Sequence, residues 1–202
     1  MSSPLQQVRE HVRGHFAGIG IESDPDSASV TFLGVERIEV LRFGPAEGVA
    51  HYVSLGCSRH PMTDPSDLAA DPLRGPRAEV VMSLRATVPT PGLARSLAVV
   101  AATPAVEGVV LVADALIDLS GPLGNSALWD SAPFTAVLLG ASPIADLALA
   151  APLDPVAFLS AVPITATEAA WVRLKGAEAM RQAWLDDGVD VLDPTRRASA
   201  PS

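Results

Sequence analysis

The chain of 202 residues has a single cysteine, Cys57, so no intrachain disulfide can form and the composition suits a reducing compartment. Aromatic residues make up only 4%, which leaves Ala, Val and Leu to fill the core. Lysine is nearly missing, with Lys175 alone against thirteen arginines. With the abundance of alanine, this points to a GC-rich bacterial genome. Positive charge is sparse as well: 14 basic against 23 acidic residues give a net charge of −9. A nucleic-acid binder needs a basic stripe to displace counterions from phosphates. The nearest thing to one is the pair Arg196-Arg197, so nucleic acid is excluded as a partner, and the acidity disfavours anionic membranes. Long apolar runs are also missing. The most apolar stretch, Leu147 to Ile164, is broken by Pro152, Asp154, Pro155 and Pro163, whereas a membrane helix needs about 20 mostly apolar residues. The opening residues, Met-Ser-Ser-Pro-Leu-Gln-Gln, lack the basic and apolar regions of a signal peptide. The expectation is a soluble, cytoplasmic protein.

What is present is enough for a core. A hydrophobic fraction of 49% with 18% charged residues fits one globular domain that needs neither disulfide nor structural metal. Ser3 and Pro4 open a helix read to Phe16, with Leu5, Val8, Val12 and Phe16 on one face. Strands are expected over Ser29–Leu33, Glu36–Phe43, Ala50–Leu55 and Arg77–Arg85. In the second, Ile38 and Val40 fall on one face and Leu41 and Phe43 on the other, as in a bulged strand or one buried on both sides. Residues 91–102 read as a helix, and Glu107–Leu119, with its apolar run Val109–Val112, as a central strand. Phe134–Leu139 and Val156–Val162 read as two more. The clearest element is the last helix, placed from residue 166 to Gly188: Thr165 and Glu168 form a capping box, and Trp171 and Trp184 are expected to be buried under it. On this helix Arg181 falls within the apolar face. The favoured reading is a snorkelling stem whose head pairs with Glu178, and the sharper one an ion pair joining the helix to the sheet. Strands outnumber helices. The fold class is therefore α+β, an α/β sandwich with a mixed, largely antiparallel sheet packed by helices. Residues 1–28 form a helix and loop of the same domain, 29–193 its body, and 194–202 a disordered tail.

Candidate chemistry is thin. His11 and His15 have the i, i+4 spacing of a metal pair but lack the accompanying glutamate, so a polar helix shoulder is the better reading. Cys57 and His60 could form a thiolate–imidazolium pair, yet no nucleophile signature surrounds them. Neither a dinucleotide-binding loop nor a Walker sequence occurs. No catalytic, cofactor or metal residue is assigned. The alternatives to a binding module are a cysteine-dependent hydrolase using Cys57 and His60, and a structural homo-oligomer subunit.

Several motifs occur in a telling order. Tyr52-Val53-Ser54-Leu55-Gly56-Cys57-Ser58 is a strand ending in Gly-x-Ser, and Glu79-Val80-Val81-Met82-Ser83-Leu84-Arg85 a strand led by glutamate. Val162-Pro163-Ile164-Thr165-Ala166-Thr167-Glu168 leads into a capped helix, followed by Gly188-Val189-Asp190 and by Asp193 with Arg196 three residues on. Together they resemble the Suppressor of Fused domain family over roughly residues 29 to 197, in the form of a bacterial single-domain member. The resemblance implies an α/β sandwich without catalytic residues that binds a protein or peptide, as an adaptor or a toxin-neutralising immunity protein. Animal members take up a short peptide as an added strand. Here the tryptophan-rich motif before the middle helix is replaced by Val88-Pro89-Thr90-Pro91-Gly92. The long segment Arg59–Pro76 is expected to be mobile and to flank the binding surface. Asp64, Asp67 and Asp71 would form a negative rim for a basic partner, with Tyr52 and Arg85 as contacts on a nearby sheet face or edge.

Overall fold

A computed structural model describes residues 3–64, 66, 71–119 and 127–199. Helix α1 spans Pro4–Gly18, capped by Ser3, whose hydroxyl accepts the Gln6 N–H at 3.3 Å. Then come β1 (Asp26–Val30), β2 (Ile38–Ala46), β3 (Val49–Leu55), a short 3-10 turn at Cys57–Arg59 and β4 (Arg77–Arg85). Helix α2 (Leu93–Glu107) is followed by β5 (Leu116–Asp118), β6 (Phe134–Ala141), β7 (Val156–Thr165), α3 (Ala166–Lys175) and α4 (Ala177–Asp186).

The seven strands form one open sheet in the order β1-β2-β3-β4-β7-β6-β5. Every pairing is antiparallel except β4 with β7, which runs parallel with Glu79 beside Phe158. Alternation sorts the side chains onto two faces. Ile38, Val40, Ala50, Tyr52, Val80, Met82, Leu84 and Val137 pack against Leu93, Leu97, Val100 and Ala101 of α2. On the other face Leu41, Phe43, Val53, Val81 and Phe158 meet Val8, Val12 and Phe16 of α1. Further along that face Ala136, Leu138 and Ile164 meet Ala169, Val172, Met180 and Trp184 of α3 and α4. The result is a three-layer α+β sandwich, and β2 is buried on both sides as its phase change implied. Its register also shifts between Phe43 and Ala46.

Three readings need correction. Helix α2 does not stop at residue 102 but runs on through Pro104. Proline removes the N–H that would reach the Val100 carbonyl, and the Thr103 hydroxyl donates to that carbonyl instead, at 2.8 Å. Glu107–Leu119 is not a central strand. Gly108 closes α2 in the left-handed region (φ +68°) and Asp114 is also left-handed (φ +70°), so Val109–Val112 packs as irregular chain. Leu116–Asp118 forms the last strand of the sheet, and Asp114, Ala115 and Leu119 on either side of it also bond to the backbone of β6. The final helix is two helices broken at Gly176 (φ +91°, ψ 166°). Its capping box is intact, and Gly188 ends α4 with the expected bonds, Gly188 N–H to Leu185 O and Val189 N–H to Trp184 O. Trp184 is buried and Trp171 only half-buried.

Candidate functional site

The turn after β3 is built around a carboxylate. Glu79 sits in β4 with no exposed surface. One of its oxygens accepts the Gly56 N–H (2.8 Å), the Ser58 N–H (3.0 Å) and the Ser58 hydroxyl (2.6 Å), and the other accepts the Ser54 hydroxyl at 2.5 Å. Burial pushes its carboxyl above the usual range, and the four bonds only partly offset this. Gly56 has φ +140°, and a Cβ there would lie 3.1 Å from the Arg37 carbonyl, so this turn requires glycine. Arg77 holds the same turn from below, donating to Ser58 O at 2.8 Å and Arg59 O at 2.9 Å.

Next to this turn lies a cleft of about 410 Å³, walled by Val35, Glu36, Cys57, His60, Met62 and Ala101 among others. Cys57 and His60 do share it, but not as a reactive pair. His60 Nε2 is 2.7 Å from the Glu36 carboxylate. The bond from His60, with help from Arg59, holds that carboxyl below its usual range. Burial, aided by the nearby Glu79, pushes the Cys57 thiol well above its ordinary value, the opposite of what a thiolate nucleophile needs.

The five residues expected to form the binding surface are not gathered in one place. Tyr52 is 3% exposed, inside the core, and its hydroxyl accepts the Thr90 N–H at 3.2 Å. Arg85 ends β4 while the acidic segment precedes Arg77, so the length of the strand, roughly 26 Å at about 3.3 Å per residue, separates them. The Arg85 guanidinium pairs with Asp190 at 2.5 Å. Asp64 accepts the Ser66 N–H (2.8 Å) and Asp71 the Leu73 N–H (2.8 Å), each closing a local turn and standing beyond the cleft. Asp67 lies outside the described residues. The strands beside this segment, β3 and β4, are third and fourth in the sheet, so no free edge exists there.

The end read as a disordered tail is docked as far as residue 199. Arg196 is 7% and Ser199 3% exposed. The guanidinium of Arg196 meets the fully buried Glu168 carboxylate at 2.6 and 3.1 Å. Sequence pattern showed Glu168 only as a cap. The sign of its second task was the Asp193-x-x-Arg196 ending of the closing motif. Both readings of Arg181 hold in part: it pairs with Glu178 at 3.8 Å and with Asp114 at 2.6 Å, and it donates to the Leu139 carbonyl of β6 at 3.1 Å, which ties α4 to the sheet. His11 Nε2 lies 2.7 Å from the Ala145 carbonyl and stacks on Phe158, and His15 sits edge-on to Phe16. Among the described residues, no helix is long and apolar enough to cross a membrane.

Comparison with known proteins adds the lineage. A sequence profile described as Suppressor of fused protein (SUFU) matches residues 34–197. The fold is similar to that of a SUFU homologue from Neisseria gonorrhoeae FA 1090, at 17% identity and a TM-score of 0.63, covering 98% of this chain and 97% of the other. It is also similar to a chain of a Sufu–Fu complex, at 14% identity and TM-score 0.68, covering 98% and 92%. Against Drosophila Suppressor of Fused the values are 15% and 0.65, covering 98% of this chain and only 51% of that one. No curated protein sequence matches.

Proposed function

Because the chain belongs to the Suppressor of fused protein family, we propose that it is a non-catalytic, cytoplasmic protein-binding module that receives its partner at the cleft beside the acidic segment. The observation that carries this reading is the cleft itself. Its walls set the apolar Val35, Ile38, Met62, Ala101 and Pro104 beside the polar Glu36, His60 and Thr63, and its volume of about 410 Å³ is right for one or two inserted side chains. Asp64 and Asp71 stand on the chain that leaves it, with Asp67 between them in sequence, and the net charge of −9 favours a basic partner. The raised Cys57 thiol and the His60–Glu36 pairing speak against the cysteine-hydrolase alternative. The fold is that of a chain found in a Sufu–Fu complex, which fits a binding role.

The biological role we propose is that of an adaptor or of an immunity protein that neutralises a basic toxin. The test begins with crosslinked capture from the native host and reconstitution of the captured protein with the pure chain. A 1:1 complex whose affinity falls at least about tenfold, roughly 1.4 kcal/mol, when Ala105→Arg, at a position lining the cleft, blocks it supports the reading. A complex indifferent to Ala105→Arg moves the site elsewhere. An iodoacetamide-sensitive turnover would replace the binding module with an enzyme. A toxin gene beside this one, and protection of cells expressing that toxin, would select the immunity role.

A further inference from the structure

At the end of the sheet opposite the cleft, Glu168, Phe134, Trp184 and Pro163 form a slot for a guanidinium. The planar head of Arg196 lies between two aromatic rings, 5.0 Å from the Phe134 centroid and 5.4 Å from that of Trp184. Both of its terminal nitrogens meet the Glu168 carboxylate, and Nη2 also donates to the Pro163 carbonyl at 2.7 Å. Trp184 Nε1 and the Thr165 N–H, each 2.9 Å away, hold that carboxylate in place. A carboxylate fork, two ring faces and a carbonyl are what arginine recognition requires, and a lysine ammonium matches neither the fork nor the stacking.

We propose that this slot is an arginyl-binding site, with Arg196 as its resident ligand, and that an arginine-bearing segment of a basic partner can take the place of Arg196. The segment that carries the resident has no helix or strand of its own. Residues 189–199 form turns only, and their base is fixed separately, by Arg85 to Asp190 at 2.5 Å and by Arg85 N–H to Leu192 O at 2.8 Å. The tip enters the slot through Arg196 and through Ser199, whose N–H reaches Glu168 at 3.1 Å and whose hydroxyl donates to the Asp187 carboxylate of the α4 end. Its base can stay in place while the tip leaves. Nor is the resident's fit complete: Arg196 Nε is buried with no partner among the described residues. Vacancy is the costly state, because it strands a buried carboxylate, so release of one arginine is coupled to capture of another. The net charge of −9 draws such segments in.

The experiment uses the full chain and two probes. Arg196→Ala should melt at a lower temperature than wild type. N-acetyl-arginine amide should restore part of that loss in a saturable way, with N-acetyl-lysine amide about tenfold or more weaker. Equal or unsaturable effects of the two amides would overturn the proposal, as would an unchanged melting temperature. If Arg196→Ala does not fold, wild type decides. An acetylated peptide copying residues 193–199 should raise deuterium uptake across residues 189–199 saturably, and the same peptide with lysine for its first arginine should not. Uptake unmoved by either peptide would make Arg196 a fixed strut and overturn the proposal. Neither measurement involves the cleft or its partner, so failure here leaves the binding-module reading standing.

Discussion

One oxygen of the buried Glu79 carboxylate accepts both the backbone N–H and the hydroxyl of Ser58, at 3.0 and 2.6 Å. That double contact, shared with the Gly56 N–H, sets the turn that forms one wall of the cleft. Glu79→Ala would leave two backbone N–H groups and two serine hydroxyls without their acceptor. At about 1–3 kcal/mol for each buried group left unsatisfied, the loss should reach roughly 3 kcal/mol or more. Glu79→Gln keeps an amide oxygen for three of the donors, while its NH2 can face Ser54, so it should cost about 1 kcal/mol. Urea unfolding of both variants measures the difference. Equal losses would mean that the network does not hold the turn.

Protonation should loosen the seam between α1 and the sheet. His51 is lowered by burial and by His15, and His15 by burial and by His11, each from an ordinary value of 6.5. Below 6.5 the unfolded chain therefore binds more protons than the folded one, and this stability is lost as pH falls. Glu168 adds the same sign below its ordinary 4.5, because the bonds from Arg196, Thr165, Trp184 and Ser199 outweigh the effect of burial. Glu79 has the opposite sign: its raised pKa makes it cost stability as pH rises above 4.5. His51→Gln separates the terms. Between pH 7 and 5.5 wild type should lose more melting temperature than the variant, and parallel losses would clear His51.

Where side chains repeat with a clean period, the elements were legible in sequence. Arg77–Arg85 and the Thr165–Glu168 cap lie where the pattern placed them. Pattern fails where one residue overrides its neighbours. Gly176 breaks a helix whose apolar face continues across the break, and Gly108 turns an apolar run away from strand geometry. The site was harder to read because its determinants join distant positions. Nothing local in Arg196 says that its partner is Glu168, 28 residues earlier. Tyr52 alternates like a surface residue on a half-buried strand, yet α2 covers that face.

Cys57 should react slowly despite lining an open cleft. Burial and the Glu79 charge raise its thiol well above the ordinary value, and each pKa unit lowers the thiolate fraction about tenfold. Iodoacetamide modification at pH 8 should thus run at least about tenfold slower than for an unstructured cysteine peptide. Glu79→Ala, by removing the neighbouring charge and opening the turn, should speed it up. A rate in wild type matching the peptide would reopen the thiolate reading.

Replacing residues 63–74 by a short Gly-Ser linker tests whether the acidic segment takes part in binding. The fold should tolerate it, because the base of the segment is closed independently: the Met62 N–H donates to the Pro76 carbonyl at 2.7 Å, and Gly75 N–H to Asp154 at 2.6 Å. Loop length alone changes closure entropy by only about 0.6 kcal/mol per doubling. Among the described residues, the bond sacrificed inside the fold is that from Arg77 to the Leu73 carbonyl, at 3.1 Å, and Arg77 keeps Ser58 and Arg59 as acceptors. Stability should therefore fall by about 1 kcal/mol or less, and a larger loss would show that the segment is structural. Against a reconstituted basic partner the shortened chain should bind more slowly, with a weaker dependence on salt, because three aspartates are gone while the cleft remains. An association rate and salt dependence identical to wild type would assign the aspartates to turn formation alone, as the bonds of Asp64 to Ser66 and of Asp71 to Leu73 already require of those two.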